Sequence, residues 1–388
     1  MEKNICVAIS CYNQEKYIET CMRHLLQQKY SRGGVCIKIC DDASTDETQS
    51  IIKNIIEEEG LPENWTVEDC SNETNMGMPL NTKRILRKLM ESGADYGCIL
   101  EGDDYWISPL WLEKHVQDMD EDSGIAMSNN YLLFYWQESN IFSVRQYPEY
   151  IHQSKYITAS MQAEDNYTGN FSSSLYRIAD MKKIPIDFLE QPYVDDWFVN
   201  LLMAQQGKIV SLKEPLSVYR IHNQGVWNGE KKNWNKMNST ILNRIHFMHQ
   251  HYPGQYMNEL AAFSEQWAKI PIRGKIYYDL GRGFSEENTI VVYTLFDCKA
   301  HFKARVDMPD DLGIIKKLRY DPEEGYPCTV KNLKISINGI EVRAIPENGK
   351  QEKEAIVFET SDPIFRLELL KSMKTVEKIE IEGEMIFE

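Results

Sequence analysis

Three carboxylates in four positions, Glu101-Gly102-Asp103-Asp104, follow the apolar run Tyr96-Gly97-Cys98-Ile99-Leu100. A short apolar run ending in acids predicts a buried strand whose carboxyl end opens on a crevice, the place where open α/β sheets bind ligands. Acids this close repel one another, and a cation among them relieves the repulsion. A hard divalent ion with oxygen ligands suits such a set, with Mg²⁺ or Mn²⁺ bridging a substrate phosphate. A solvated acidic turn ahead of the helix opened by Pro109 is the competing account. Tyr105 and Trp106, directly after the acids, weigh against it, because a solvated turn has little use for two aromatic rings.

The elements that must carry this turn follow from periodicity. Ile5 to Ser10 reads as a short buried strand, and Val35 to Cys40 and Trp65 to Cys70 as the second and third strands. Between them, Ile18, Cys21, Met22, Leu25 and Leu26 share one helical face, as do Ile51, Ile52, Ile55 and Ile56. Ser44 or Thr45 is the expected N-cap of that second helix. Asn75 to Pro79 predicts a turn into a third helix carrying Leu80, Ile85, Leu86, Leu89 and Met90. Four strand–helix alternations argue for a mostly parallel sheet with helices on both faces. Asn170 to Arg177 is a polar run too rich in small residues to read as core, and Asp195-Asp196-Trp197 opens a helix through Leu201 and Leu202. Two helices broken at Pro253-Gly254 follow, and from about Ile272 short alternating strands with an Asn338-Gly339 hairpin turn predict a smaller all-β sandwich. The expected organisation is therefore 1–230, an α/β domain; 231–271, a helical extension; and 272–388, a β-sandwich accessory domain.

At 388 residues the chain is long for one domain, and 42% hydrophobic residues supply a sizeable core. A net charge of −16 disfavours a nucleic acid or an anionic bilayer as the main partner. No run of about 18 apolar residues predicts a membrane span. The N-terminus lacks a basic n-region and cleavage site, and the nine cysteines are scattered, with Cys36 and Cys40 on one strand face rather than at knuckle spacing. A cytoplasmic protein with reduced thiols is expected.

Six motifs in order carry a resemblance. They are Cys11-Tyr12-Asn13, Asp41-Asp42-Ala43-Ser44-Thr45-Asp46, Asn75-Met76-Gly77, Glu101-Gly102-Asp103-Asp104, Asp195-Asp196-Trp197 and Tyr219-Arg220-Ile221-His222. Over roughly residues 4 to 225 the series resembles a family 2 glycosyltransferase of the Rossmann-like GT-A fold. The resemblance implies an enzyme that moves a sugar from a nucleotide-diphosphate donor to a hydroxyl, with inversion at the anomeric carbon. It implies that Tyr12 and Asn13 line the nucleotide pocket, that Asp41 meets the base edge, and that Asn75 to Gly77 turn beside the nucleoside. Glu101-Gly102-Asp103 stands at the family's Asp-x-Asp metal motif with Glu in place of the first Asp, so Asp103 is the stronger ligand and Glu101 the weaker. Asp104 is left to a metal-bound water or the ribose, and His222 to the metal or diphosphate.

Transfer needs a base for the acceptor hydroxyl. The resemblance assigns that role to Asp196, with Asp195 orienting it. Asn170 and Ser172 would line a sugar, Trp197 would floor the acceptor or pack in the core, and Arg220 would assist the phosphates. The family's frequent Ala-Arg-Asn after the Asn-x-Gly turn is absent, and Arg84 is an offset stand-in. The implied partners are a divalent cation, a nucleotide-sugar donor and a glycan or lipid-linked saccharide acceptor of the cell envelope. Peripheral association at the inner face of the plasma membrane and a homodimer are both compatible with this. Two rivals stand beside this reading. A sugar nucleotidyltransferase would need a Gly-rich basic loop after the first strand, and Cys11-Tyr12-Asn13-Gln14 is not one. A non-catalytic carbohydrate-binding scaffold with a degenerate pocket would have no use for the acidic pair.

Overall fold

A computed structural model describes residues 2–387 except 192, 224, 226–233, 269–272, 297–300, 310–311, 323–326, 361, 371–372 and 374. The chain divides into two compact units, Met1–Gly229 and Glu230–Glu388. The boundaries expected at 230/231 and 271/272 fall outside the described residues.

The first unit opens with β1 (Ile5–Cys11), α1 (Ile18–Leu26), β2 (Val35–Asp41), α2 (Thr48–Glu59), β3 (Trp65–Asp69), α3 (Met78–Glu91) and β4 (Tyr96–Glu101). The strands pair in parallel in the order β3-β2-β1-β4. This is the α/β alternation expected, and the apolar faces of α1 and α3 are buried against the sheet as their spacing predicts. The sheet then turns mixed. Next come β5 (Tyr105–Trp106), α4 (Trp111–Glu121), β6 (Ile125–Trp136), β7 (Ile141–Val144), α5 (Glu149–Gln153), β8 (Tyr156–Ile157) and α6 (Ala159–Glu164). The unit closes with β9 (Ser174–Arg177), α7 (Ile178–Met181), α8 (Asp196–Ala204) and β10 (Lys208–Ile221). β9 inserts antiparallel between β4 and β6, and β10 runs parallel to β6.

Two sequence expectations are corrected here. Asn170 to Ser174 is interior, with Ser172, Ser173 and Ser174 fully buried, because their polar atoms are hydrogen-bonded inside the sheet. Neither Ser44 nor Thr45 caps α2. Asp41 takes the Ser44 amide and hydroxyl, and Asn13 takes the Thr45 amide. Asp46 accepts instead from the Thr48 amide at the helix start, at 3.0 Å.

The second unit begins with helices Trp234–His251 and Met257–Phe263, separated at Gly254 in a left-handed turn (φ +75°). Two antiparallel sheets follow. One contains Arg273–Asp279, Lys317–Asp321 and Phe365–Leu367, and the other His301–Asp307, Cys328–Ile337 and Lys378–Phe387. His301–Asp307 alternates strictly between exposed and buried, the period-2 pattern of a half-covered sheet. Phe358 of one sheet meets Phe365 of the other edge to face, 5.1 Å between ring centroids, inside the sandwich. Asn338 and Gly339 both have positive φ and close the Ile337–Ile340 hairpin, as that dipeptide predicts. Among the described residues no helix is long and apolar enough to cross a membrane.

Candidate active site

The loops after β1, β2, β3 and β4 lie at one edge of the parallel sheet, and side-chain carboxylates brace them. Asn13 adopts a left-handed conformation (φ 51°), donates its amide to Ser44 Oγ and accepts from the Thr45 amide, both at 2.8 Å. Tyr12 beside it is 44% exposed and open to a ligand. Asp42 accepts from Met76 and Gly77 amides, each at 2.9 Å, and from Asn72 Nδ2 at 2.5 Å. Gly77, also held by Asn75 Oδ1 at 2.8 Å, needs its positive φ of 78° to bring those amides round.

Asp41 is a correction to the expected base contact. It is fully buried, and its oxygens accept from the Ser44 amide, Gln49 Nε2, the Ser44 hydroxyl and the Cys11 thiol. It ties β2 to the α2 loop rather than facing a ligand. Arg84 is likewise turned inward, donating to the Cys70 carbonyl and to Asn81 Oδ1.

The acid turn after β4 is shaped by Gly102. A Cβ there would lie 2.2 Å from Gln14 Oε1 and 2.9 Å from Ile18 Cδ1, so only glycine lets the turn sit against α1. Trp106 anchors the far side, donating its indole N–H to the Ser172 carbonyl at 2.7 Å and stacking on Trp111 at 4.0 Å. Trp106 is therefore a wedge into the core, while the half-buried Tyr105 stays beside Arg220. Asp104 is buried, with Oδ1 accepting from the Arg220 amide at 2.9 Å and Oδ2 from Asn170 Nδ2 at 2.6 Å. The same Asn170 amide nitrogen donates to Glu101 Oε2 at 3.0 Å, and the Ser172 hydroxyl accepts from the Glu101 amide at 3.1 Å. At 6% and 0% exposure, Asn170 and Ser172 hold the acids rather than line a sugar, a second correction.

Asp103 points elsewhere, its Oδ2 lying 3.0 Å from Nε2 of the buried His222, whose ring packs 4.5 Å from that of Tyr17. Arg220 clamps the turn through its Nε, which donates to the Asp103 carbonyl at 2.8 Å, and through Nη1 to Gln137 Oε1 at 2.6 Å. Its guanidinium lies over the rings of Tyr17, Tyr135 and Tyr105 at 5.0, 5.3 and 5.5 Å. Tyr17 and Gln137 are contributors that no motif announces.

Across the site, Asp195 is the N-cap of α8, accepting from the Phe198 amide at 3.1 Å, and Asp196 occupies the first helical position. Asp196 Oδ1 accepts from Asn166 Nδ2 at 3.0 Å and from the Trp197 amide at 2.5 Å. Trp197 is 2% exposed and donates its indole N–H to the Gln162 carbonyl at 2.8 Å, so the alternative of a packing residue holds and that of a sugar platform does not. Asn166 is invisible to sequence reasoning, since a lone amide in a loop carries no signal.

Burial, followed by repulsion from the neighbouring acids, pushes the carboxyl groups of Glu101 and Asp104 well above the usual carboxylate range, and Asp196 adds to the effect on Glu101. Among the described residues no three His, Cys, Asp or Glu side chains converge as a ready-made metal cage. Glu101, Asp103 and His222 are thus not a closed ligand set. The donors do fit a cation shared with a bound phosphate, which takes one or two carboxylates from the protein. Crowded acids are on hand, and Asn170 Oδ1 is a buried acceptor without a partner.

The raised carboxyl groups carry a sign. The folded protein keeps these protons to higher pH than the unfolded chain, so stability falls as pH rises from the ordinary carboxylate range through the folded values. Glu101→Gln keeps an acceptor for Asn170 and removes that penalty. Its melting temperature, measured with a chelator present, is expected to exceed wild type by more at pH 8 than at pH 4. An equal difference at both would contradict the arrangement.

The chain is similar to several known proteins. The model of Glycosyl transferase family 2 matches residues 6–182. Uncharacterized proteins of Mycobacterium tuberculosis and Mycobacterium bovis are each 27% identical over 253 residues, covering 63% of this chain and 68% of theirs. Similar solved structures include S. aureus TarS 1-349 in complex with UDP, at 17% identity, 70% of this chain, 72% of that one and a TM-score of 0.48. The mannosyltransferase PcManGT from Pyrobaculum calidifontis, in complex with GDP-Man and Mn²⁺, is similar at 14% identity, 68% of this chain, 70% of that one and a TM-score of 0.48. The edge of the sheet that holds β1 to β4, the acid turn and the Asn170 brace thus lies within residues 6–182, the stretch over which the chain is similar to glycosyl transferase family 2.

Proposed function

We propose that this protein is an inverting, divalent-metal-dependent glycosyltransferase that moves a sugar from a nucleotide-diphosphate donor to a hydroxyl of a growing cell-envelope glycan, working in the cytoplasm or at the inner face of the plasma membrane. One observation carries the reading. The acid turn, fixed by Asn170 and Arg220, lies within electrostatic reach of a separate carboxylate, Asp196, that opens a helix. The pairing suits a reaction with charge to neutralise on one side and a proton to remove on the other.

In this mechanism Asp103, with His222 behind it, would hold a divalent cation, and Glu101 and Asp104 would set the field around it; such a cation would supply neutralisation of the charge that develops on the departing diphosphate. Tyr12, Asn13 and the Asn75–Gly77 turn flank the nucleoside. Asp196 accepts the proton of the acceptor hydroxyl as that oxygen attacks the anomeric carbon and the bond to the diphosphate breaks. Asn166 and the Trp197 amide keep the Asp196 carboxylate oriented. A single in-line displacement needs no covalent nucleophile and inverts the configuration. The β-sandwich serves as a structural or interaction module.

A thermal-shift series with UDP, GDP and other nucleoside diphosphates, each with and without Mn²⁺, tests the reading. A ligand that binds only the folded state raises apparent stability by mass action. The expected result is a rise of several degrees with one diphosphate, and only with metal. No shift with any nucleotide in the presence of metal would remove the proposal.

A further inference from the structure

The hairpin of β6 and β7 carries aromatic residues that the mechanism does not use. β10, β6 and β7 lie side by side there, with Arg220 paired to Tyr135 and Tyr135 to Phe142. Cross-strand partners share a face of the sheet, so these three form a row. The Arg220 guanidinium lies 5.3 Å from the Tyr135 ring, and the Tyr135 and Phe142 rings stack at 4.5 Å. Among the described residues β7 pairs with no further strand, so the row ends in the open, with Phe142 51% exposed. Two carboxamides flank the rings. Gln137 Oε1 accepts from Arg220 Nη1 at 2.6 Å, and Asn140 Oδ1 accepts from the Tyr135 hydroxyl at 2.9 Å. Neither amide nitrogen has a partner among the described residues. The turn between the strands is braced, because the Gln137 amide donates to the Ile221 carbonyl at 2.9 Å and Glu138 Oε1 accepts from the Asn223 amide at 2.8 Å.

We propose that this row is a remote acceptor subsite, in which Phe142 stacks on a sugar ring of the growing glycan while Gln137 and Asn140 donate to its hydroxyls. The inference rests on the proposed function and deepens it, making the acceptor an oligosaccharide rather than a single sugar. Neighbouring strands lie about 4.8 Å apart, so Phe142 stands about 10 Å from Arg220, which clamps the acid turn. A ring stacked there belongs to a unit behind the one being glycosylated. The surface selects its occupant by chemistry. A sugar presents an apolar C–H face and a rim of hydroxyls, which an open aromatic ring edged by N–H donors matches. Acyl chains laid on the same rings would strip water from both amides and replace it with nothing. An anionic polymer would need cations, and the guanidinium of the row is already engaged by Gln137, the Asp103 carbonyl and three tyrosine rings.

An array of neutral mono- to hexasaccharides, probed with the full chain in Mn²⁺ and saturating UDP or GDP, tests this. Wild type is expected to retain the longer glycans and not the monosaccharides. Phe142→Ala should bind them about fivefold more weakly, and Phe142→Trp, which keeps a ring, about as well as wild type. Asn140→Asp keeps the Tyr135 contact and tolerates the left-handed backbone (φ 53°) but deletes the donor, and it too should weaken binding. Ile141→Ser alters the opposite face of β7 and should change nothing. Undiminished binding by Phe142→Ala, equal retention of mono- and oligosaccharides, or no glycan retained by wild type would each overturn the inference. An equal loss in Ile141→Ser would overturn it too, making the hairpin a surface for a bilayer or a second copy of the chain. Failure on the array with the nucleoside-diphosphate thermal shift intact removes this inference alone. Absence of that shift in wild type removes the proposed function, and this inference with it.

Discussion

Asp196→Asn is expected to lower turnover by about a thousandfold while leaving donor binding intact, since a positioned general base contributes roughly 10²–10⁴ in rate. The amide cannot take the acceptor proton, but it occupies the same volume at the start of α8. Its oxygen can still accept from the Trp197 amide, and the cost to folding is about one hydrogen bond to Asn166, on the order of 1 kcal/mol. Asp195 is a sharp control. Its carboxylate is committed to the Phe198 amide as the helix cap, so Asp195→Asn, which also caps well, should retain most activity. Transfer assays with both variants, alongside nucleoside-diphosphate titrations, separate the roles. Turnover by Asp196→Asn at the wild-type rate would remove Asp196 as the base, and a collapse in Asp195→Asn alone would move the role one position back.

The parts of this site that can be read from sequence are those whose signal is local. Buried parallel strands are continuous apolar runs, and the helices between them repeat every three to four residues, so β1, β2 and β4 and α1 to α3 emerge from periodicity alone, whereas β3 is an edge strand exposed along all but Trp65. The acid turn is legible for the same reason, being three charges placed directly after such a run. What stays hidden depends on partners distant in the chain. Asn170 to Ser174 is polar by composition and interior in fact, because its acceptors and donors come from Glu101, Asp104, Trp106 and Ser217, some 45 to 70 residues away. Asp41 looks available to a ligand because nothing in the sequence shows that Gln49 and Cys11 close over it. The N-cap of α2 departs from expectation because Ser44 and Thr45, both competent caps, are claimed by Asp41 and Asn13. Asn166 and Tyr17 earn their places only through the sheet order, which inserts β9 antiparallel and runs β10 beside β6. In each case a short-range preference yields to a long-range hydrogen bond, and those bonds gather where the site is.

Asp103→Asn is the second large effect, and its signature differs from that of the base. Removing one charge from a carboxylate that shares a cation with the donor should cut kcat/KM by about a thousandfold, the scale of several kcal/mol that a bound metal supplies to a developing anionic charge. Unlike Asp196→Asn, the variant should also lose the Mn²⁺ dependence of nucleoside-diphosphate binding, because that dependence and the catalytic loss have one origin. The fold should survive. The amide oxygen that Asp103→Asn leaves in place can still accept from His222 Nε2, Arg220 still reaches the backbone carbonyl at this position, and Asp104 keeps both of its donors. Glu101→Gln distinguishes a direct ligand from a member of the surrounding field. Glu101 already shares the Asn170 amide with Asp104, so its neutralisation should weaken Mn²⁺ binding by far less than that of Asp103. Titrating Mn²⁺ into the wild-type protein and both variants at fixed diphosphate gives the order directly. If Glu101→Gln lost metal more severely than Asp103→Asn, the first acid of the turn would be the principal ligand, and Asp103 would serve chiefly to orient His222.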